Sequence, residues 1–137
     1  MFLLDTNVLS ELRRRDRTNR KVAAWADSVD AGALFLSAIT VLEIEARALL
    51  VERRDAARGA MLRAWIDGKV LPGLSGRILP VDVAVAMRCA RLQVPHPRAE
   101  RDALIAATAL VRQLCVVTRN IGDFQAMGVE LSNPWDA

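Results

Sequence analysis

Asp5, Glu43, Asp102 and Asp123 are the residues of this 137-residue chain whose types and positions could do chemistry together. Asp5 follows Phe2-Leu3-Leu4 directly in MFLLDTNVLSEL, an apolar run too short for a helix but long enough for a buried strand. Asp123 lies in VVTRNIGDF with Thr118 and Asn120, just past the apolar run Cys115-Val116-Val117. Glu43 falls a little over one turn into a helix expected from Ala38, on an arc with Ile39, Leu42, Ala46 and Leu50. Asp102 falls in the first turn of a helix expected over Ala99 to Gln113 and shares a face with Ile105, Ala106 and Ala109. Taken singly, each has an ordinary structural use. Asp5 can cap the following helix, Glu43 can reach solvent from a boundary position, and Asp102 can complement a helix dipole. Thr118, Asn120 and Asp123 are common turn residues.

Taken jointly, the four point elsewhere. Strand ends and the early turns of helices that follow parallel strands lie near one edge of a sheet. Carboxylates gathered there repel one another and retain protons unless a divalent cation neutralises them. Mg²⁺ or Mn²⁺ suits such a site, since both prefer oxygen ligands. An ion held this way with open positions can bind a phosphate oxygen and activate water for in-line attack. The chemistry indicated is phosphodiester hydrolysis, and it requires Asp5, Glu43 and Asp102 to converge on about one coordination sphere, allowing for a bridging water.

The elements that must position these residues read as strands alternating with helices. Strands are expected at Phe2 to Leu4, Leu34 to Leu36, Ile78-Leu79, Cys115 to Val117 and around Val129 to Leu131. Helices are expected to about Arg13, from Arg20 to Ser28, from Ala38 to about Arg53 with Ser37 as N-cap, from Ala56 to Lys69, and from Asp82 as cap to about Leu92. LPGLSG reads as a loop, and QVPHPRAE breaks the chain before the helix carrying Asp102. This alternation predicts a parallel sheet covered on both faces, with ligands bound beyond the carboxyl ends of its strands. The length predicts one domain over residues 1–137.

Composition removes several competing chemistries. His96 is the only histidine, and Cys89 and Cys115 lack CxxC spacing, so paired-histidine catalysis and a His/Cys zinc site are excluded. No GxxxxGK[ST] or GxGxxG supports nucleotide binding through a glycine-rich loop. No apolar stretch approaches the roughly 20 residues of a membrane span. The N-terminus has no basic leader region, so the cytoplasm is the expected compartment. The net charge is +3, and all basic residues except Lys21 and Lys69 are arginine. Arg13, Arg14, Arg15, Arg17, Arg20 and Lys21 form a run that is either a solvated helix end or a contact to nucleic-acid phosphates.

At LLDTNVLSEL, LSAITVLE, ALIAATA, VVTRNIGDF and the terminal NPW the chain resembles the PIN-domain family, specifically its VapC-type toxins and FitB-like relatives. The matching stretches span nearly the whole sequence in order. The resemblance implies a three-layer α/β/α sandwich around a mainly parallel sheet of four to five strands. It further implies a Mg²⁺- or Mn²⁺-dependent ribonuclease acting on single-stranded RNA, a homodimer, and a cognate antitoxin through which operator DNA is engaged. By position, Asp5, Glu43 and Asp102 correspond to the first three family acids. Asp123 is assigned as the fourth, with Thr118 and Asn120 in support and Asn7 orienting Asp5. Some relatives carry aspartate immediately after TR, where this chain has Asn120.

Two other readings stand beside this one. A haloacid-dehalogenase-like phosphatase also places an aspartate after its first strand, but it wants a second acid where Asn7 stands and a lysine later than Lys69. A catalytically decayed relative would serve only as an antitoxin partner in DNA-bound repression, against which the full acidic set argues.

Overall fold

The computed structural model describes residues 1–136, so Ala137, the last residue of the expected domain, lies outside the described residues. Five strands, β1 (Phe2–Leu4), β2 (Leu34–Ser37), β3 (Ile78–Leu79), β4 (Cys115–Val117) and β5 (Leu131–Ser132), form one sheet in the order β3-β2-β1-β4-β5. Every pairing is parallel, with Leu3 opposite Phe35 and Val116, and Leu4 opposite Val117. The chain steps outward from β1 through β2 to β3, then returns to lay β4 on the other side of β1. The order of connection therefore reverses between β1 and β4, the place where parallel α/β sheets open a crevice at their carboxyl edge.

Period-two alternation assigns the strand side chains to two cores. Leu3 and Val116 pack with Val85, Ile105, Ala106 and Phe124 on one face. Leu4, Leu36 and Val117 pack with Val8, Ile44, Ala48 and Ile66 on the other. Helices α1 (Thr6–Glu11), α2 (Arg20–Ser28), α3 (Ala38–Arg54), α4 (Ala56–Trp65) and α5 (Leu71–Gly73) belong to the second layer. The first contains α6 (Val83–Leu92), α7 (Glu100–Arg112) and α8 (Ile121–Phe124). The result is the expected α/β/α sandwich with five parallel strands. Helix starts follow the anticipated chemistry: Ser37 Oγ accepts from the Ile39 amide at 3.0 Å, and Asp82 from the Val85 amide at 3.0 Å. Among the described residues no helix is long and apolar enough to cross a membrane.

Three local readings are corrected. LPGLSG does not begin a loop at once: a π-helical turn, Ile66–Val70, carries α4 into α5, burying Ile66 and Val70. Pro72 follows the π-helical turn directly, and the Leu71 amide donates back to Ile66 O just before it. The core face of α3 is Thr40, Ile44 and Ala48, not the arc shared by Glu43; Leu42 and Leu50 on that arc are exposed. Finally, the segment after β4 turns into the short helix α8, which places Asp123 in a helical first turn instead of an open turn.

α3 and α4 form a tight hairpin through a single linking residue. Asp55 closes α3 with its N–H on Val51 O at 2.8 Å and caps α4 by accepting from the Arg58 amide at 3.1 Å. Gly59 lies so near α3 that an added Cβ would stand 2.5 Å from Glu52 Cα. Farther along, Arg63 pairs with Glu45 across the two helices, raising the guanidinium pKa and lowering that of the carboxylate.

Candidate active site

Asp5 sits where β1 becomes α1. Its N–H extends the ladder to β4 by donating to Val117 O at 2.9 Å, while its carbonyl accepts the first helical amides, from Val8 and Leu9. The side chain is not spent on capping alone. An N-cap side chain ordinarily takes the second or third helical amide; Asp5 Oδ1 takes only the Thr6 amide, at 2.8 Å. Oδ2 instead accepts from Thr118 Oγ1 at 2.8 Å and Asn7 Nδ2 at 3.2 Å. The buried carboxylate is thereby held at the β1/β4 reversal.

Thr118 and Asn7 organise this corner. Thr118 is fully buried, and its Oγ1 also accepts from the Asn120 amide at 3.0 Å. Asn7 Oδ1 accepts from the Arg119 amide at 3.2 Å, so Asn7 ties the start of α1 to the loop after β4. The terminal Asn-Pro-Trp sequence braces that loop from outside. Asn133 Nδ2 donates to Arg119 O at 3.4 Å, and the Arg119 guanidinium lies 5.2 Å from the Trp135 ring centroid. Asn120 contributes its amide; its side chain caps nothing.

Glu43 is half-buried on α3, and Thr6 Oγ1 donates to its Oε1 at 2.8 Å. The sequence reading missed Thr6. Its signal is that DTN places a hydroxyl between Asp5 and Asn7 on the first turn of α1, where it faces α3. Asp102, half-buried in the first turn of α7, has its carboxyl pushed up to about 6. Loss of hydration contributes most, followed by the charges of Asp5, Asp123 and Glu43. Asp5 is raised too: burial outweighs the bonds from Thr118 and Thr6, and Asp123 adds repulsion. Asp123 itself is exposed at the rim on α8.

The four acids therefore share one electrostatic neighbourhood, reached from β1, α3, α7 and α8. They do not close as tightly as expected. Among the described residues no three His, Cys, Asp or Glu side chains are drawn into a ready-made ion cage. Thr6 and Thr118 each occupy one oxygen of a neighbouring carboxylate, Glu43 and Asp5 respectively. The donor set is all oxygen, and each charge in it disfavours the next, the combination that a hard divalent cation relieves.

The run of basic residues is divided by the fold. Arg15 pairs with Asp27 on the surface and Arg17 is exposed, whereas Arg13 and Arg14 turn to a pocket against α3 and α4.

The model of the PIN domain matches residues 2–129. The VapC ribonuclease Y4jK of Sinorhizobium fredii is 37% identical over 141 residues, covering 99% of both chains. The chain belongs to the PIN-domain family. Toxin FitB of Neisseria gonorrhoeae is 39% identical to this PIN protein over 98% of its length and 99% of FitB. A structure of FitAB bound to a DNA fragment superposes on the PIN fold with a TM-score of 0.88 at 38% identity, covering 98% of this chain and 96% of that one.

Proposed function

We propose that this protein is the toxin of a type II toxin–antitoxin system, a metal-dependent ribonuclease that hydrolyses phosphodiester bonds of single-stranded RNA. The observation that carries the reading is the shared field of the acids, registered at Asp102, whose carboxyl is pushed up to about 6 by burial and by Asp5, Asp123 and Glu43. A relative named as a ribonuclease and another named as a toxin, each aligned over almost the full chain, support the activity and the role.

In this reading Asp5, Glu43, Asp102 and Asp123 would hold Mg²⁺, or Mn²⁺ in its place. A divalent cation there supplies charge neutralisation, a Lewis acid for a phosphate oxygen and a lowered pKa for water. The rest is the work of the chain. Thr118, Asn7 and the Thr6 amide fix both oxygens of Asp5, so little reorientation is needed when charge enters the site. Thr6 Oγ1 fixes Glu43 in the same way. Asp102 approaches from the first turn of α7, where burial and the charges of Asp5, Asp123 and Glu43 disfavour its ionised form until a cation offsets them. Asn120 and Thr118 stabilise the strand end through the amide-to-hydroxyl bond.

The proposal includes one PIN domain over residues 1–137, a cytoplasmic location, a homodimer and a cognate antitoxin that brings the toxin to operator DNA. The DNA-bound FitAB structure supports the last point by similarity. Incubation of the purified protein with single-stranded RNA in Mg²⁺, Mn²⁺ or EDTA tests the activity. Cleavage in either metal and none in EDTA is expected; intact RNA under all three conditions, with a folded protein, would favour the decayed relative.

A further inference from the structure

Beyond the carboxylates lies a pocket of about 110 Å³ into which four arginines converge from three elements. Arg13 and Arg14 come from the segment just past α1, Arg47 from α3 and Arg58 from α4, and Met61 and Trp65 form part of the wall. Among the described residues none of the four is within ion-pair distance of a carboxylate. Arg13 has its pKa lowered, by burial first and then by Arg14, Arg47 and Arg58. Like charges are brought this close without compensation by the hairpin geometry: Gly59 lets α4 approach α3, and Arg58 beside it comes to line the same pocket as Arg47. A second opening shares Arg47 and Arg58 and continues past Arg54, with Asp55 as its one acid.

The pocket adjoins the acidic site along the seam of α1 and α3. Ser10 lines it one turn after Thr6, the residue bonded to Glu43, and Arg47 is one turn after Glu43, about 6 Å along the helix axis. We infer that Arg13, Arg14, Arg47 and Arg58 form a subsite for a backbone phosphate of the RNA next to the scissile bond. The inference rests on the ribonuclease reading for its ligand. Planar guanidinium forks match phosphate oxygens, and an anion relieves the repulsion among the four. The alternation of acidic cleft and basic pocket gives one strand two attachment points, which sets the scissile phosphate in register with the acids.

Binding of a labelled single-stranded RNA oligonucleotide, measured across a salt series in EDTA, tests this without requiring cleavage. Arg47→Gln and Arg58→Gln should each weaken binding roughly tenfold and reduce the salt slope by about one. Arg47→Lys should restore the slope because it restores the charge, and Arg91→Gln, exposed on α6 in the opposite layer, should leave it unchanged. Melting curves establish that each variant is folded. Wild-type affinity and slope in both glutamine variants, or no RNA binding by the wild-type protein, overturns the subsite. Loss of binding to an acidic peptide with RNA binding intact also overturns it and reassigns the pocket to a protein ligand. Failure of the ribonuclease reading appears separately, as absent cleavage in Mg²⁺ or Mn²⁺.

Discussion

Thr118 Oγ1 donates to Asp5 Oδ2 at 2.8 Å across 113 positions of sequence, joining the carboxyl ends of β4 and β1. Both residues are buried, so the bond is made where an unpartnered carboxylate oxygen is costly. Thr118→Val keeps the shape and removes the donor. Stability should fall by about 1–3 kcal/mol. The Asp5 carboxyl should rise further, since Thr118 is the strongest influence holding it down. The acid limb of metal-dependent cleavage then moves to higher pH. Chemical denaturation and a pH–rate profile check the two effects; an unmoved profile would deny Thr118 its part in setting Asp5.

Asp102 makes the metal-free protein less stable as pH rises. Its carboxyl titrates near 6 in the fold against 3.8 ordinarily, so between those values the folded state binds more protons than the unfolded state. Stability is therefore lost as pH climbs through this window. In EDTA, Asp102→Asn should match the wild type below the ordinary carboxylate pKa and melt higher at pH 7. Added Mg²⁺ should stabilise the wild type more than the variant. Melting temperatures at both pH values, with and without Mg²⁺, decide it; a variant that melts lower at pH 7 in EDTA contradicts the repulsive cluster.

Asp5→Asn separates metal binding from helix capping. Asparagine caps about as well as aspartate, so the fold should persist. With one negative charge removed, the Mg²⁺-induced rise in melting temperature should shrink and RNA cleavage should be lost. A folded variant with wild-type, EDTA-sensitive cleavage refutes the role given to Asp5.

Gly59→Ala probes the α3/α4 hairpin. The new Cβ would meet backbone at Glu52 Cα, 2.5 Å away, so the helices must part. Destabilisation of about 1–3 kcal/mol is expected, with weakened RNA binding as Arg58 is displaced from Arg47. Urea titration measures the first. Unchanged stability would show that the hairpin yields without cost.

Much of this arrangement is legible in the sequence because local chemistry agrees with the final fold. Ser37 and Asp82 cap the helices their positions suggest, and the apolar runs Phe2-Leu3-Leu4, Leu34-Phe35-Leu36 and Cys115-Val116-Val117 become strands. Legibility fails where a side chain's direction depends on distant packing. α3 is apolar on more than one side, so periodicity selected the arc of Leu42 and Leu50, while the buried stripe contains the polar Thr40. Arg13 and Arg15 are near neighbours in sequence but separate in space, because the chain after Leu12 turns one toward Arg47 and the other toward Asp27. Thr6 reads as a helix-start residue until α3 brings Glu43 to it.

The central position of β1 has a consequence for synthesis on the ribosome. β1 is made before the other strands of the sheet, yet its partner β4 and the hydroxyl that fixes Asp5 arrive 113 residues later. At roughly 5–20 residues per second, that interval is on the order of ten seconds, to which passage through the exit tunnel adds. Through that time a nascent chain has the acids of β1 and α3 but lacks Thr118 and the strand that holds it. Any activity requiring the completed corner is withheld until β4 has been made and has paired with β1, and a product truncated before Thr118 has none.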